Sequence, residues 1–237
     1  MNMKKILLFS LLSFFAFSTF GQATFSTTGS GSLWADSASW NRDSGTDADG
    51  VPDSDDTVII NHDVNVYNSS QACASLTVNT DGSVDGYAQL TVRGGRTLTV
   101  SGSGTVVTIN GLIQLGYLDT KGKLNVSSGN MSVVGKLAVS KDGLVSVANS
   151  STISNSGTIA IESSSSSYGS IVNRGTYTTS GSGVTTYARY VNSQTNGWDL
   201  ISSPLSNVDM AAFMSNNANL ARQTVDGTVW YAVGTYT

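Results

Sequence analysis

The sequence predicts an all-β protein, and within that class a right-handed parallel β-helix (β-solenoid). Three observations predict it. First, apolar–polar–apolar triplets recur in the middle of the chain: Leu76-Thr-Val78, Leu90-Thr-Val92, Leu98-Thr-Val100, Leu124-Asn-Val126, Met131-Ser-Val133, Leu137-Ala-Val139 and Ile159-Ala-Ile161. Each puts two side chains on one face of a strand and one on the other. Second, three of the six steps between these triplets are only six to eight residues, with Gly, Asn, Asp or Ser turns between them. Strands this short do not stand as free hairpins, but they can stack as successive sides of a coil. Third, "ISNSGTIAI" (residues 153–161) aligns with "IVNRGTYTT" (residues 171–179) at an offset of 18, keeping Asn155 with Asn173 and Gly157 with Gly175. That offset reads as one turn of the solenoid, and "INGLIQLG" (residues 109–116) reads as a looser third copy. In this reading Asn stacks on Asn in the next coil, and Gly supplies the positive φ of the corner. An antiparallel sandwich is the competing pattern, but it calls for strands of about 5–6 residues.

Composition agrees with the class. Charged residues are 12% of the 237, about half the usual share of roughly 25%. Ser, Thr, Asn and Gly fill the polar positions, which suits a β-rich surface. With two Pro in the chain, turns must rely on Gly, Asn and Asp. Net charge is −4, and it becomes −6 if Lys4 and Lys5 leave with a leader. No basic patch is present, so a nucleic-acid partner is not expected.

Taken in order, residues 1–21 read as a secretory signal peptide. Lys4 and Lys5 form the basic region, residues 6–17 are apolar, and Thr19 and Gly21 are the small residues before the cut. The apolar stretch is shorter than the ~20 residues a membrane span needs. The expectation is therefore a secreted, extracellular or outer-surface protein with no membrane span after cleavage. Residues 22–60 read as an N-terminal cap holding Trp34, Trp40 and an acidic run. A solenoid needs such a cap because exposed edge strands invite aggregation. Residues 61–187 form the β-helix body, about five or six coils at roughly 18–24 residues each. Residues 188–237 change character, with Trp198, Trp230, Pro204 and a helical patch, "VDMAAFMSNN", in which Met210, Phe213 and Met214 share a face. They read as the start of a further β-rich segment.

The stretch "GSLWADSASWNRDSGTDADGVPDSDDTVIINHDVNV", continued by "QACASLTVNTDG", resembles a pattern of secreted surface proteins of the Bacteroidetes group. It also looks like the start of the eight-glycine domain of large extracellular receptors. "GWDLISSPLSN" (residues 197–207) resembles a second block of the same bacterial proteins. The resemblance implies a right-handed parallel β-helix, export linked to type IX secretion and an adhesin-like role. Relatives of this kind continue into a C-terminal sorting domain. This chain stops at "VWYAVGTYT" with no recognisable sorting sequence, which reads as truncation.

The chemistry on offer is limited. "DADGVPDSDD" (residues 47–56) resembles one calcium-binding repeat of the thrombospondin type 3 kind. Asp47, Asp49, Asp53, Asp55 and Asp56 are the candidate ligands for a structural Ca²⁺, with Gly50 in the tight turn. The competing reading is a solvated cap loop leading into "TVII". Cys73, the single cysteine, reads as a small buried hydrophobe. His62, the single histidine, reads as a solvent-facing turn residue. The body's acids (Asp63, Asp81, Asp85, Asp119, Asp142 and Glu162) show no offset that pairs them across coils, and Arg93 and Arg96 flank "GG" in a turn. Thr97 and Thr99 have the spacing of an ice-binding ladder. Tyr168, Tyr177, Tyr187 and Tyr190 suit either a carbohydrate-binding strip or a solenoid edge. No catalytic or cofactor-binding residue is assigned. The expected function is a non-enzymatic, adhesin-like scaffold whose partners are extracellular glycans or surface proteins. The alternative is a carbohydrate-binding module or the N-terminal part of a polysaccharide-degrading enzyme.

Overall fold

The structure is a computed structural model describing residues 22–29, 32–80, 88–117 and 120–188, together with the strand backbones 223–225 and 228–230. The leader, the block 197–207, the helical patch with Met210, Phe213 and Met214, and Trp198 and Tyr190 lie outside the described residues. The chain divides into two compact units, Met1–Ala188 and Arg189–Thr237.

The first unit is a parallel β-solenoid of five full turns. It begins with an antiparallel pair, β1 (Thr24–Thr27) and β2 (Trp40–Ser44). Coils of three strands follow. The first is β3 (Thr57–Ile60), β4 (Val64–Val66) and β5 (Gln71–Cys73). The second is β6 (Ser75–Val78), β7 (Gln89–Val92) and β8 (Arg96–Val100). The third is β9 (Thr105–Ile109), β10 (Leu112–Leu115) and β11 (Gly122–Val126). The fourth is β12 (Asn130–Val133), β13 (Lys136–Val139) and β14 (Gly143–Val147). The fifth is β15 (Thr152–Asn155), β16 (Thr158–Ile161) and β17 (Ser170–Asn173), and β18 (Thr176–Thr179) with β19 (Val184–Tyr187) opens a sixth. Three parallel sheets result. Sheet A runs β3-β6-β9-β12-β15-β18, sheet B β4-β7-β10-β13-β16-β19, and sheet C β5-β8-β11-β14-β17. The second unit contains an antiparallel pair, β20 (Gln223–Val225) with β21 (Thr228–Trp230).

The triplets supply the interior. Registers place Val58, Leu76, Val107, Met131 and Ile153 in one column of sheet A. Val64, Leu90, Ile113, Leu137 and Ile159 form the matching column of sheet B. All ten are essentially inaccessible to solvent. Burial of a side chain this size contributes roughly 1.5–3 kcal/mol, so stacked columns are the main source of stability. Cys73 belongs to the same core, and burial pushes its thiol well above the usual range.

Two details of the predicted repeat are corrected. Residues 153–161 and 171–179 do not stack at an offset of 18. Ile153 pairs with Tyr177, while Ile171 pairs with Val145 on another sheet. The 18-residue step does occur once, in the first coil, where Thr57 pairs with Ser75. The next step on that sheet is longer, from Leu76 to Val107. The second correction concerns the glycines. Gly157 and Gly175 do not adopt a positive φ. Instead the preceding coil approaches too closely for a side chain: a Cβ on Gly157 would lie 2.1 Å from the Val134 carbonyl oxygen, and one on Gly175 1.8 Å from that of Ser151. The Asn ladder exists, but in the early coils. Asn79 Nδ2 donates to Asn61 Oδ1 at 2.9 Å, and Asn110 Nδ2 to Asn79 Oδ1 at 3.4 Å.

The N-terminal segment closes the first coil. β1 pairs parallel with β3 as an extra rung of sheet A, and Leu33 bridges Asn65 of β4. Trp34 and Trp40 meet edge to face at 5.1 Å, and Phe25 meets Trp40 at 6.5 Å. Trp40 Nε1 donates to the Trp34 carbonyl at 2.7 Å, and Trp34 Nε1 to that of Pro52 at 3.3 Å. Both indoles are therefore buried without an orphaned donor.

Candidate acidic loop and outer groove

The acidic run follows β2 and leads into β3. Asp47, Asp53 and Asp56 each bring one carboxylate oxygen within 4.8 Å of the others. Three of the five expected ligands are thus together; Asp49 and Asp55 are not part of this cluster. Much of the carboxylate capacity is spent on the backbone. Asp47 Oδ2 accepts from Asp49 N and Gly50 N, Asp49 Oδ1 from Val51 N, and Asp53 Oδ1 from Asp55 N. Such bonds are what Asp does in a turn.

Asp56 is different, because its side chain is buried. Its Oδ1 accepts from Ala23 N at 2.7 Å and its Oδ2 from Asp53 N at 2.9 Å. It therefore clips the start of β1 to the loop. Burial raises its pKa above the ordinary value of 3.8, while the two backbone bonds pull the other way. Asp53 is also raised, first by its hydrogen bond to Asp55 and then by burial. A divalent cation would reverse both shifts by favouring the ionised forms.

A second site was not singled out from the sequence. On the outer face of sheet B, Asn65, Thr91 and Gln114 occupy paired positions on three successive coils. Beside them, Gln89 Nε2 donates to Thr91 Oγ1 at 2.8 Å and to Gln114 Oε1 at 3.0 Å. Asp63 Oδ1 accepts from Gln89 N at 3.0 Å. Arg93 and Tyr117 complete a groove of about 310 Å³. This is at the lower end of the roughly 300–1,000 Å³ of small-ligand sites.

Arg93 is held in an unusual way. Its guanidinium carbon lies 4.9 Å from the Tyr67 ring centre and 5.7 Å from that of Tyr117. Its Nε is shielded from solvent and has no hydrogen-bond partner among the described residues. The Tyr67 ring is fixed from below by Gly94, where a Cβ would lie 2.7 Å from two ring atoms, and Gly94 has φ of 69°. Arg96 Nε donates to the Tyr67 carbonyl at 2.9 Å. The Arg-Gly-Gly-Arg turn thus builds one wall of the groove. The readable signal was positional: Tyr67 and Arg93 each directly follow a sheet-B strand.

Other sequence candidates fall elsewhere. His62 is exposed in a bend. Thr97 and Thr99 are flanked on sheet C by Lys123 and Asn125 and, below Thr99, by Ala72, so no Thr ladder forms. Tyr177 and Tyr187 lie on the last coil and Tyr168 on an exposed bridge, so they do not make one strip. Asp81, Asp85 and Asp119 lie outside the described residues. Among the described residues, no helix is long and apolar enough to cross a membrane.

No known protein family, curated protein or solved structure matches the chain.

Proposed function

We propose that the chain is a secreted or cell-surface, non-enzymatic scaffold of the adhesin-like kind, exported by a Bacteroidetes-type host through type IX secretion. The observation that supports it most is the five-turn body itself. A stack of buried triplets, closed at its start by Trp34 and Trp40, is a stiff rod that presents outer faces at a fixed spacing. The basic-then-apolar leader supports export. The partners are extracellular glycans or surface proteins, and the acidic net charge argues against nucleic acid. A calcium ion at Asp47, Asp53 and Asp56 would act as a clamp on the cap. The test is incubation of residues 22–237 with plant, algal and host polysaccharides. The expected result is no new reducing ends and no unsaturated products. Depolymerisation of any of them overturns the scaffold reading.

The outer groove favours a second reading, a carbohydrate-binding module. Its amides, hydroxyl and carboxylate converge from three coils, and sugars are bound through such groups.

A further inference from the structure

We propose that the sheet-B groove binds a hydroxyl-rich sugar carrying a carboxylate, and that Arg93 selects the acid. This rests on the carbohydrate-binding reading and specifies its ligand class. The groove has two unlike ends. Asp63 stands beside the start of β7, and Arg93 follows its last residue. Four residues of strand span about 13 Å, so the two charges do not neutralise one another at short range.

Among the described residues, Arg93 is set against π faces rather than a carboxylate. Two tyrosine rings flank it, and among the described residues its charge has no ionic partner on its own side of the groove. A planar fork held rigidly suits bidentate pairing with a carboxylate, at little cost in side-chain entropy. At the other end, Asp63 is an acceptor for sugar hydroxyls, and between them Gln89 and Gln114 are already ordered by their mutual bond. Neighbouring coils repeat at about 4.8 Å, so donors and acceptors recur along the groove as hydroxyls recur on a sugar. Asp63 and the chain's net charge of −4 disfavour a dense polyanion such as a sulfated glycan. One carboxylate among several hydroxyls satisfies both ends.

The experiment is calorimetric titration of residues 22–237 with three probes: a xylo-oligosaccharide carrying a single glucuronate, its methyl ester, and the neutral xylo-oligosaccharide without it. The acid is expected to bind best and to weaken with added salt. Arg93→Gln should weaken the acid about tenfold or more and leave the neutral probes unchanged. Gln114→Ala should weaken all three. Lys123→Gln, on sheet C, should change nothing. Melting curves check that each variant folds, and Arg93→Lys retains the charge if Arg93→Gln does not fold. Equal binding of acid and ester, unaltered at Arg93, overturns the acid specificity but keeps a glycan groove. Silence with all three probes overturns both.

Discussion

The first and last described rungs of the solenoid finish the same interior columns by opposite means. One column of sheet A runs from Phe25 through Val58 and Ile153 to Tyr177. At its start Phe25 is 1% exposed, beneath the edge of Trp40. At its end Tyr177 is 40% exposed, and its hydroxyl bonds to Thr185 and to Asn155. The inward positions of the last strands are Tyr177, Thr179, Thr185 and Tyr187, where earlier coils, Asn155 apart, hold Ile, Val, Leu and Met. The N-terminal end excludes water with indoles whose N–H groups find carbonyls. The C-terminal end exchanges the columns for hydroxyl and amide groups that satisfy one another. The first strategy gains from buried area, and the second from hydrogen bonds worth only about 1 kcal/mol each.

The largest effect should come from the indole roof. Trp34→Ala removes a fully buried ring from above the first coil and is expected to cost about 3–5 kcal/mol. Tyr177→Ala should cost less, about 1–2 kcal/mol, because the ring is already partly wet and mainly a bonding partner is lost. Urea melts of the two variants compare the ends directly. Equal losses would mean that the ends are closed by the same physics.

An intermediate effect is expected at Asn155, which is fully buried in a column that runs through Ile60, Val78, Ile109 and Val133 before it and Thr179 after it. Its Nδ2 lies within bonding reach of the Tyr177 hydroxyl, the Val184 carbonyl and Thr185, and its Oδ1 accepts from Gly157 N. Asn155→Val continues the apolar column but leaves those groups unpaired. It should cost about 1–3 kcal/mol. Hydrogen exchange should show protection lost on β18 and β19 and kept on β3. A stabilised variant would show that the polar end is tolerated rather than used.

This contrast was only half visible in the sequence. The triplets stand out because two inward side chains per strand repeat in every coil, and the fold class follows from them. The role of Trp34 and Trp40 was also readable, since large aromatics before the first triplet have one end of a column to cover. The C-terminal network was not, because Asn155 occupies the place of Ile109 and Val133 and looks like a turn residue. Coil length hid the register. Thr57 to Ser75 is 18 residues and Lys136 to Thr158 is 22. With uneven coils, residues that meet between neighbouring coils, such as Tyr67 and Arg93, carry no fixed offset to search for. Of the acidic loop, the composition was legible and the geometry was not. Only the fold shows that Asp56 is buried against Ala23 while Asp53 stays exposed.

The smallest effect is a pH dependence confined to the N-terminal end. Asp56 has a folded-state pKa above its ordinary 3.8, chiefly because burial disfavours its charge. A raised pKa means that the folded state binds the proton more tightly than the unfolded chain. The resulting stabilisation is complete below pH 3.8 and is lost as pH rises through the folded value. Asn at this position retains one acceptor oxygen, so Asp56→Asn loses one of the two backbone bonds at every pH but has no titration. The advantage of Asp56 over Asn, followed by thermal melting, should therefore shrink as pH rises from 3.5 to 6.5. Chelator is present in this series, so that no divalent ion favours the carboxylate. If calcium in place of chelator restores the advantage at pH 6.5 and does little at pH 3.5, Asp56 is one of the ligands of an ion in the Asp47, Asp53 and Asp56 cluster. An advantage that grows with pH in chelator would show instead that Ala23 N and Asp53 N outweigh the burial of the charge.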